Sequence, residues 1–463
     1  MYYEKDKVKD LTIAYIGGGS RGWAWGFMKD LAMDPQMQGT VRLYDIDRQA
    51  AKNNEIIGNK ISAHPDAVAK WEYTTKDSLR EALEDADFVV ISILPGTFEE
   101  MRSDVHEPER YGIYQSVGDT IGPGGFIRAL RTIPMYVEIA DAIRSYCPDA
   151  WVINYTNPMS LCVRTLYEVF PQVKAFGCCH EVFGTQTLLA EMMREELGIE
   201  GIERQEIKTN VLGINHFTWF DRASCKGIDL FPVYREFVEK HYEEGYVEHV
   251  DRNWMNNAFE CAHRVKFDLF RRYGLIAAAG DRHLAEFTPQ WYLRDPETVK
   301  SWRFSLTGVE WRIEDLKGRL DKSRKLVSGE EPIELKASGE EGYLLIKALL
   351  GLGDMITNVN VPNRGQISNL PLGAVVETNA LFRFHEISPV FAGSLPGNVL
   401  ALVSRHVNNQ ENTLKAALTC DRGLAFTTFM NDPQITLSPG EGGKLLDAML
   451  ESTKRYLPKE WNL

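Results

Sequence analysis

The chain has 463 residues, which corresponds to roughly two to three domains of ordinary size. Its hydrophobic fraction of 44% and its charged fraction of 25% are those of a globular protein. They exclude a disordered chain, a collagen-like repeat and a polytopic membrane protein. The 65 acidic and 52 basic residues give a net charge of -13, so we expect no broad nucleic-acid-binding surface.

The sequence also indicates a compartment. The segment 1–7 has mixed charges and no apolar core of a secretory signal, and no uninterrupted apolar run reaches about 18 residues. The seven cysteines are odd in number and scattered along the chain, a pattern typical of a reducing compartment. These observations predict a cytoplasmic protein that does not contact a membrane.

Strands and helices alternate over the first part of the chain. Short apolar runs predict buried strands at Leu11–Ile16, Val41–Tyr44, Phe88–Leu94, Trp151–Tyr155 and Val173–Phe176. The periodic segment Arg128–Tyr146 predicts one of the intervening helices. This alternation predicts an α/β domain over residues 1–200 with a Rossmann-like, doubly wound parallel sheet covered on both faces.

The second part of the chain has a mixed α+β pattern. Amphipathic stretches predict helices at Trp254–Tyr273 and Glu340–Leu352, and alternation within Asn358–Thr378 predicts strands. The polar run Lys317–Pro332 predicts a solvated helix and loop. We therefore expect a second domain over residues 201–463 that contributes to the substrate and metal sites and to oligomer contacts.

A glycine-rich turn follows the first predicted strand. Gly17, Gly19 and Gly22 fit the spacing G-x-G-x-x-G, and a helix can begin at Ser20. Such a turn lets backbone N–H groups approach a pyrophosphate, and Asp45 ends the second strand, where a carboxylate binds ribose hydroxyls. The pattern favours NAD, while a nearby arginine leaves NADP open and a glycine turn without nucleotide is the alternative.

Reactive side chains are concentrated in five further segments, which are Val117–Gly125, Asn154–Pro158, Gly177–Glu181, Gly213–His216 and Ala279–Glu286. A cysteine thiolate, an imidazole and oxygen donors suit a divalent metal ion. Cys179 and His216 are 37 residues apart, which matches no structural zinc motif. Either residue alone is better explained by burial in the core. Their shared setting beside a nucleotide domain favours a metal site.

The chain resembles family 4 of the glycoside hydrolases, the NAD- and metal-dependent glycosidases, along essentially its whole length. Within this family it is most similar to the bacterial α-galacturonidases. Nine segments in the same order support the resemblance, and they are IGGGSRGW, LYDID, ISILPG, GIYQSVGDTIGPGG, VINYTNPMS, GCCHEVFGTQ, LGINHFTW, AAGDRHLAEF and NVNVPNRGQISNLP.

The resemblance implies a set of binding residues. Cys179 and His216 are implied as ligands of a manganese ion, with Asn157 near the metal and the sugar hydroxyls. The glycine turn and Asp45 are implied to bind NAD. The segment around Ile93 and Pro95 is implied to line the nicotinamide side of the cofactor.

The resemblance also implies proton-transfer residues and a reaction. Asp281 stands where α-acting members of the family have their base, and His180 and Asp119 are both candidates for the acid. The implied reaction is oxidation of sugar carbon 3 by NAD, metal-assisted elimination and addition of water, followed by return of the hydride. There is no net redox change.

The implied product is galacturonic acid, released from α-linked galacturonides. A uronate carboxylate needs a cationic partner, and Arg128 and Arg282 are the expected substrate-binding arginines; Arg21, Arg131 and Arg364 are also near motifs. The same mechanism acting on α-glucuronides, α-galactosides or 6-phospho-α-glucosides is an alternative. So are an NAD-dependent sugar-acid dehydrogenase and a non-catalytic nucleotide sensor. The family resemblance further implies a homodimer or homotetramer.

Overall fold

The computed structural model describes residues 1–248 and 261–463. In the described ranges the strands are β1 (Tyr2–Glu4), β2 (Lys7–Ile16), β3 (Met37–Tyr44), β4 (Trp71–Thr75), β5 (Phe88–Ile91), β6 (Trp151–Asn154), β7 (Lys174–Gly177), β8 (Lys208–Ile214), β9 (Phe217–Cys225), β10 (Ile228–Asp229), β11 (Ile276–Ala277), β12 (Met355–Pro362), β13 (Val375–Arg383) and β14 (Glu386–Pro389).

The α-helices of the same ranges are α1 (Trp23–Met33), α2 (Arg48–Ser62), α3 (Leu79–Leu83), α4 (Phe98–His106), α5 (Gly122–Tyr146), α6 (Met159–Val169), α7 (Glu181–Leu197), α8 (Leu230–His241), α9 (Arg264–Tyr273), α10 (Asp281–Glu286), α11 (Pro296–Ser301), α12 (Val309–Ser328), α13 (Gly342–Leu349), α14 (Gly397–Thr419), α15 (Arg422–Met430) and α16 (Pro439–Thr453). In this part of the chain no helix is both long and apolar enough to cross a membrane.

The larger sheet has the strand order β14-β13-β12-β7-β6-β5-β2-β3-β4, with β1 paired to β2. The strands from β2 to β7 pair in parallel, which confirms the predicted α/β class with a parallel core. Strands β12, β13 and β14 extend this sheet in antiparallel pairs. The second half of the chain thus contributes to the first sheet, and a domain boundary at residue 200 stays a prediction.

Both faces of the parallel sheet are covered, as the continuous apolar strands predict. Ile13 and Tyr15 of β2 belong to a core cluster on one face, where Met28 of α1 packs. Ala14 and Ile16, the alternate residues, belong to a second cluster on the other face. This alternation follows from the two-residue period of a strand. Because both faces of the sheet are covered, a ligand can reach it at the ends of the strands.

Several boundaries differ from the sequence predictions. Helix α1 begins at Trp23 rather than at Ser20, because Gly22 has a left-handed φ of 135° and precedes the first helical residue. Helix α5 begins before Arg128, at the Gly-Pro-Gly-Gly segment whose proline occupies the first turn. The segment Lys317–Pro332 contains the end of α12, as predicted, but it is not solvated throughout. Leu326 is buried in the same core cluster as Ile13 and Tyr15 of β2.

The predicted helix Trp254–Tyr273 is only partly testable. Of its described part, residues 261–273, only Arg264–Tyr273 is helical, as α9, and residues 254–260 lie outside the described residues. Glu340–Leu352 contains α13, and the strands predicted within Asn358–Thr378 correspond to parts of β12 and β13.

A smaller sheet in the second half has β9 at its centre, paired with β8, β10 and β11. Strands β8 and β9 form a hairpin in which Ile214 pairs with Phe217, so Asn215 and His216 are its two turn residues. The Asn379 side-chain amide donates to the carbonyl oxygen of Thr209 at 2.6 Å and joins this sheet to β13. The hairpin is thereby joined to the antiparallel extension of the larger sheet.

Candidate active site

A cavity of about 1930 Å³ opens at the carboxyl ends of β2, β3, β5 and β6. This is the edge of a parallel sheet where α/β proteins bind their ligands. The glycine-rich turn lines one part of the cavity, and Asp119, His216 and His283 line another. Because α12 also contributes to the lining, residues from both halves of the chain enclose the same space.

The glycine turn has the geometry of a nucleotide cradle. A Cβ atom placed on Gly17 would lie 2.0 Å from the Ser92 carbonyl oxygen, and φ at this glycine is 88°. The Gly19 N–H donates to Asp45 Oδ2 at 2.8 Å, and a Cβ on Gly19 would lie 2.6 Å from Ala50 Cβ. Glycine is required at both positions, and the turn fits the pyrophosphate of a dinucleotide.

The remaining predicted cofactor residues occupy two kinds of position. Ser20, Gly22 and Ile93 line the cavity together with the glycine turn. Pro95 lies behind the lining, where its carbonyl oxygen accepts a hydrogen bond from Arg131 Nε at 2.9 Å. Their contact with NAD stays a prediction.

We expect Gly19→Ala to weaken NAD binding about 100-fold, because the added methyl group collides with Ala50 and displaces the turn. Isothermal titration calorimetry with NAD measures the effect. Gly318→Ala in α12 is the matched control, since nothing lies within 4 Å of its added Cβ. Equal NAD affinity in both variants would contradict the assignment of the turn.

His216 is connected to Asp119 through Thr120. The Thr120 hydroxyl donates to Asp119 Oδ1 at 2.7 Å, and its oxygen lies 2.9 Å from His216 Nδ1. Because the single hydroxyl proton points to the carboxylate, His216 Nδ1 is the donor and Nε2 carries the lone pair. Burial, together with the charge of His283, lowers the pKa of His216 to about 3. This neutral imidazole has the form that binds a metal.

His283 completes a cluster that the sequence analysis missed. Its ring stacks on His216 with centroids 3.7 Å apart, and one ligand atom from each of Asp119, His216 and His283 lies within 4.8 Å of the others. A carboxylate and two imidazoles suit a divalent transition metal. The signal was present in the segment AAGDRHLAEF, in which roles were predicted for Asp281 and Arg282 but not for His283.

Cys179 lies behind this cluster and does not line the cavity. Its carbonyl oxygen accepts from Asn358 Nδ2 at 3.2 Å, and the same amide donates to Glu377 at 2.6 Å. Glu377 also accepts from Asn215, the neighbour of His216. Burial, and then the charge of Glu377, raises the pKa of the Cys179 thiol well above its usual value. A metal-ligand role for Cys179 stays a prediction.

Asp281 is fully buried and does not line the cavity either. Its carboxylate accepts hydrogen bonds from the backbone N–H groups of Val265 at 3.2 Å and Lys266 at 3.1 Å, at the start of α9. It also belongs to a second potential ligand group with Cys261 and His263. The structure thus shows Asp281 stabilising a helix start, and its role as a base stays a prediction.

Two of the three predicted substrate residues, Asn157 and Arg128, lie near Asp119. Asn157 Nδ2 donates to Asp119 Oδ2 at 3.3 Å, and Arg128 Nε donates to the Asn157 carbonyl oxygen at 3.1 Å. Both side chains line the cavity. Arg282 also lines it and donates to Ser305 Oγ at 2.7 Å.

The two candidate acids lie in different surroundings. The ring of His180 lies against that of Trp23, the first residue of α1, with ring centroids 5.6 Å apart. The His180 Nδ1 atom is 3.8 Å from Glu340 Oε1. Asp119 is bonded into the histidine cluster. Although burial raises its pKa, the charges of His283 and Arg128 hold the pKa of Asp119 well below its usual range. Asp119 is therefore an anion in the absence of ligands.

Glu286 fixes the loop that presents Asp119. Its carboxylate accepts the N–H groups of Val117 at 2.7 Å and Gly118 at 2.8 Å. Burial raises the pKa of Glu286 from 4.5 to about 8. The folded state therefore favours the protonated carboxyl group, and its stability contribution is fully present below about pH 4.5 and is lost as the pH rises towards 8.

We expect the free energy of unfolding of the wild type to fall relative to that of Glu286→Gln between about pH 5 and pH 8, because the amide cannot ionise. Urea unfolding across this range measures the difference. Glu451→Gln on the exposed face of α16 is the control and should show no comparable trend. A pH-independent difference for Glu286→Gln would contradict the assigned pKa.

Models of two domains of one enzyme family match the chain. The model of the family 4 glycosyl hydrolases matches residues 12–195. The model of the C-terminal domain of the same family matches residues 211–435. The chain belongs to this family and is a glycoside hydrolase.

Two relatives are similar over nearly their whole length. An α-galacturonidase of Thermoanaerobacterium saccharolyticum is 65% identical over 99% of this chain and 98% of its own. An α-galacturonidase of Bacillus subtilis is 53% identical over 96% of this chain and 98% of its own.

Solved structures agree with the fold. The crystal structure of the Bacillus subtilis protein lplD has a TM-score of 0.91 at 52% identity, covering 96% of this chain and all of that one. A 6-phospho-α-glucosidase from gut microorganisms, solved with NAD and Mn²⁺, has a TM-score of 0.81 at 20% identity and covers 98% of this chain and 99% of its own.

Proposed function

We propose that the protein hydrolyses α-linked galacturonides and releases galacturonic acid, using NAD and a divalent metal ion, Mn²⁺. The observation that supports this most strongly is a single cavity that contains both a glycine cradle and the cluster of Asp119, His216 and His283. Family membership and the two curated α-galacturonidases support the choice of reaction and sugar.

The chain offers residues for both cofactors. The glycine turn and Asp45 would hold NAD, because the side-chain-free turn lines the cavity just before α1 and the carboxylate directly follows β3. His216 Nε2, with Asp119 and His283 beside it, would hold the metal, and Cys179 stays a candidate ligand. When bound, NAD supplies a hydride acceptor and the metal a Lewis acid.

The chain's own residues position the sugar and move protons. Asn157 and Arg128 form a hydrogen-bonded unit with Asp119 and would orient sugar hydroxyls in the cavity. Asp119 and His180 are the candidate donors to the leaving oxygen. The low pKa of Asp119 keeps its carboxylate deprotonated, which favours His180, a residue that lines the same cavity. Asp281 is proposed as the base at carbon 2, which requires its carboxylate to release the two N–H groups of α9.

A substrate panel tests the proposal. Digalacturonate, an α-glucuronide, an α-galactoside and a 6-phospho-α-glucoside are incubated with the protein, NAD, Mn²⁺ and a thiol reductant, and the released sugar is quantified. We expect galacturonate release to exceed that from every other substrate. Cleavage of any other glycoside in the panel at a higher rate than the galacturonide would refute the proposed substrate.

The proposal includes the cellular location and the oligomeric state of the enzyme. We place the enzyme in the cytoplasm, in the breakdown of pectin fragments, as a homodimer or homotetramer. The exposed side chains of Ile356, Phe384 and Phe391 near the edge of the larger sheet offer apolar area for contacts between copies. Cell fractionation tests the first point, and light scattering after size-exclusion chromatography tests the second.

A further inference from the structure

Two cavity-lining arginines differ from the others in their surroundings. Of the four others, three pair with a carboxylate, Arg21 with Asp47 at 3.2 Å, Arg204 with Glu341 at 2.7 Å and Arg319 with Asp315 at 2.6 Å. The fourth, Arg282, donates to Ser305 Oγ at 2.7 Å. Within residues 1–248 and 261–463, Arg128 and Arg312 have no carboxylate at salt-bridge distance. Both line the cavity beside Asp119.

Arg312 is directed to this place by the packing of α12. The Thr307 N–H donates to the Ser116 carbonyl oxygen at 2.8 Å, and the Val309 N–H donates to His106 Nε2 at 3.2 Å. These bonds fix the start of α12 against the loop that precedes Asp119. From the first turn of the helix, Arg312 Nη2 donates to the Val117 carbonyl oxygen at 3.1 Å.

The two guanidinium groups retain unused capacity for an anion. Arg312 Nε is buried and has no hydrogen-bond partner in the described part of the chain. Arg128 uses Nε for the Asn157 carbonyl oxygen. Burial lowers the pKa of each arginine, and the charge of the Asp119 carboxylate opposes this effect at both. The single Asp119 carboxylate lies beside two guanidinium groups, which leaves hydrogen-bonding capacity for a second anionic group.

We propose that Arg312, with Arg128, binds the carboxylate of a uronate sugar and thereby selects galacturonides over neutral galactosides. This inference rests on the proposed function. A planar carboxylate matches the fork of a guanidinium group, which forms two parallel charge-assisted hydrogen bonds. Arg131, by contrast, is engaged by its buried salt bridge with Asp104 and by the Pro95 carbonyl oxygen.

The test compares Arg312→Met and Arg312→Lys with the wild type. We expect Arg312→Met to lower kcat/KM for the galacturonide at least about 100-fold and to change that for the matching galactoside less than about threefold. Arg312→Lys keeps the charge and should recover part of the loss. Arg324→Met, at the exposed end of the same helix, is the matched control.

Binding provides a readout that is independent of turnover. In nuclear magnetic resonance titrations without cofactors, Arg312→Met should weaken D-galacturonate binding to the same extent and leave D-galactose binding unchanged. Unaltered galacturonate affinity, an equal loss for both sugars, or tighter wild-type binding of galactose 6-phosphate than of galacturonate would overturn the inference. If the wild type binds galacturonate through Arg312 but cleaves no galacturonide, this inference holds and the proposed function fails.

Discussion

Replacing His216 by asparagine is expected to lower metal-dependent glycoside hydrolysis about 1000-fold or more. The substitution removes the Nε2 lone pair that Thr120 leaves available, and a Lewis acid contributes several kcal/mol to such a reaction. Asparagine tolerates the left-handed φ of 64° at this turn, so the hairpin is retained. Hydrolysis assays and Mn²⁺ titrations followed by electron paramagnetic resonance measure the two effects.

His385→Asn is the matched control for this variant. His385 also has a left-handed φ, of 54°, but lies in an exposed turn and does not line the cavity. It should retain full activity and metal affinity. Unchanged Mn²⁺ affinity in His216→Asn would contradict the placement of the metal.

Asp119→Asn is expected to lower kcat by about 100- to 10,000-fold, the range of a lost proton donor or acceptor. The amide keeps the acceptor for Thr120 but removes the negative charge between His283 and Arg128. NAD affinity should stay unchanged, because the glycine turn is untouched. Steady-state kinetics and calorimetry measure both quantities.

Asp149→Asn, whose side chain is 98% exposed, controls for a general effect of removing a carboxylate. A loss smaller than about tenfold in Asp119→Asn would show that this carboxylate takes no part in the chemistry.

The parallel sheet was predictable because its strands are buried on both faces and are therefore nearly continuous apolar runs. The start of α1 was misplaced by three residues, since Ser20 has the side chain of a helix cap whereas the backbone of Gly22 determines where the helix begins. The antiparallel extension by β12 to β14 joins residues about 200 positions apart, and no local pattern encodes such a pairing.

The candidate site was predictable where a motif has a mechanism of its own. The glycine spacing and Asp45 indicated the nucleotide turn directly. His283 and Arg312 were missed for different reasons: a lone histidine in an apolar segment is more often a core residue, and Arg312 lies near the cavity only because α12 packs on a distant loop. For Asp281, the sequence could not show that its carboxylate is bonded to α9.

The central claim is hydrolysis with a recycled nicotinamide cofactor. The most direct measurement follows galacturonate release and the absorbance of NADH together, with substrate in large excess over NAD. We predict many product molecules per NAD and no net accumulation of NADH, because the hydride returns to the sugar. NADH accumulating in proportion to the substrate consumed would contradict the account and identify a dehydrogenase.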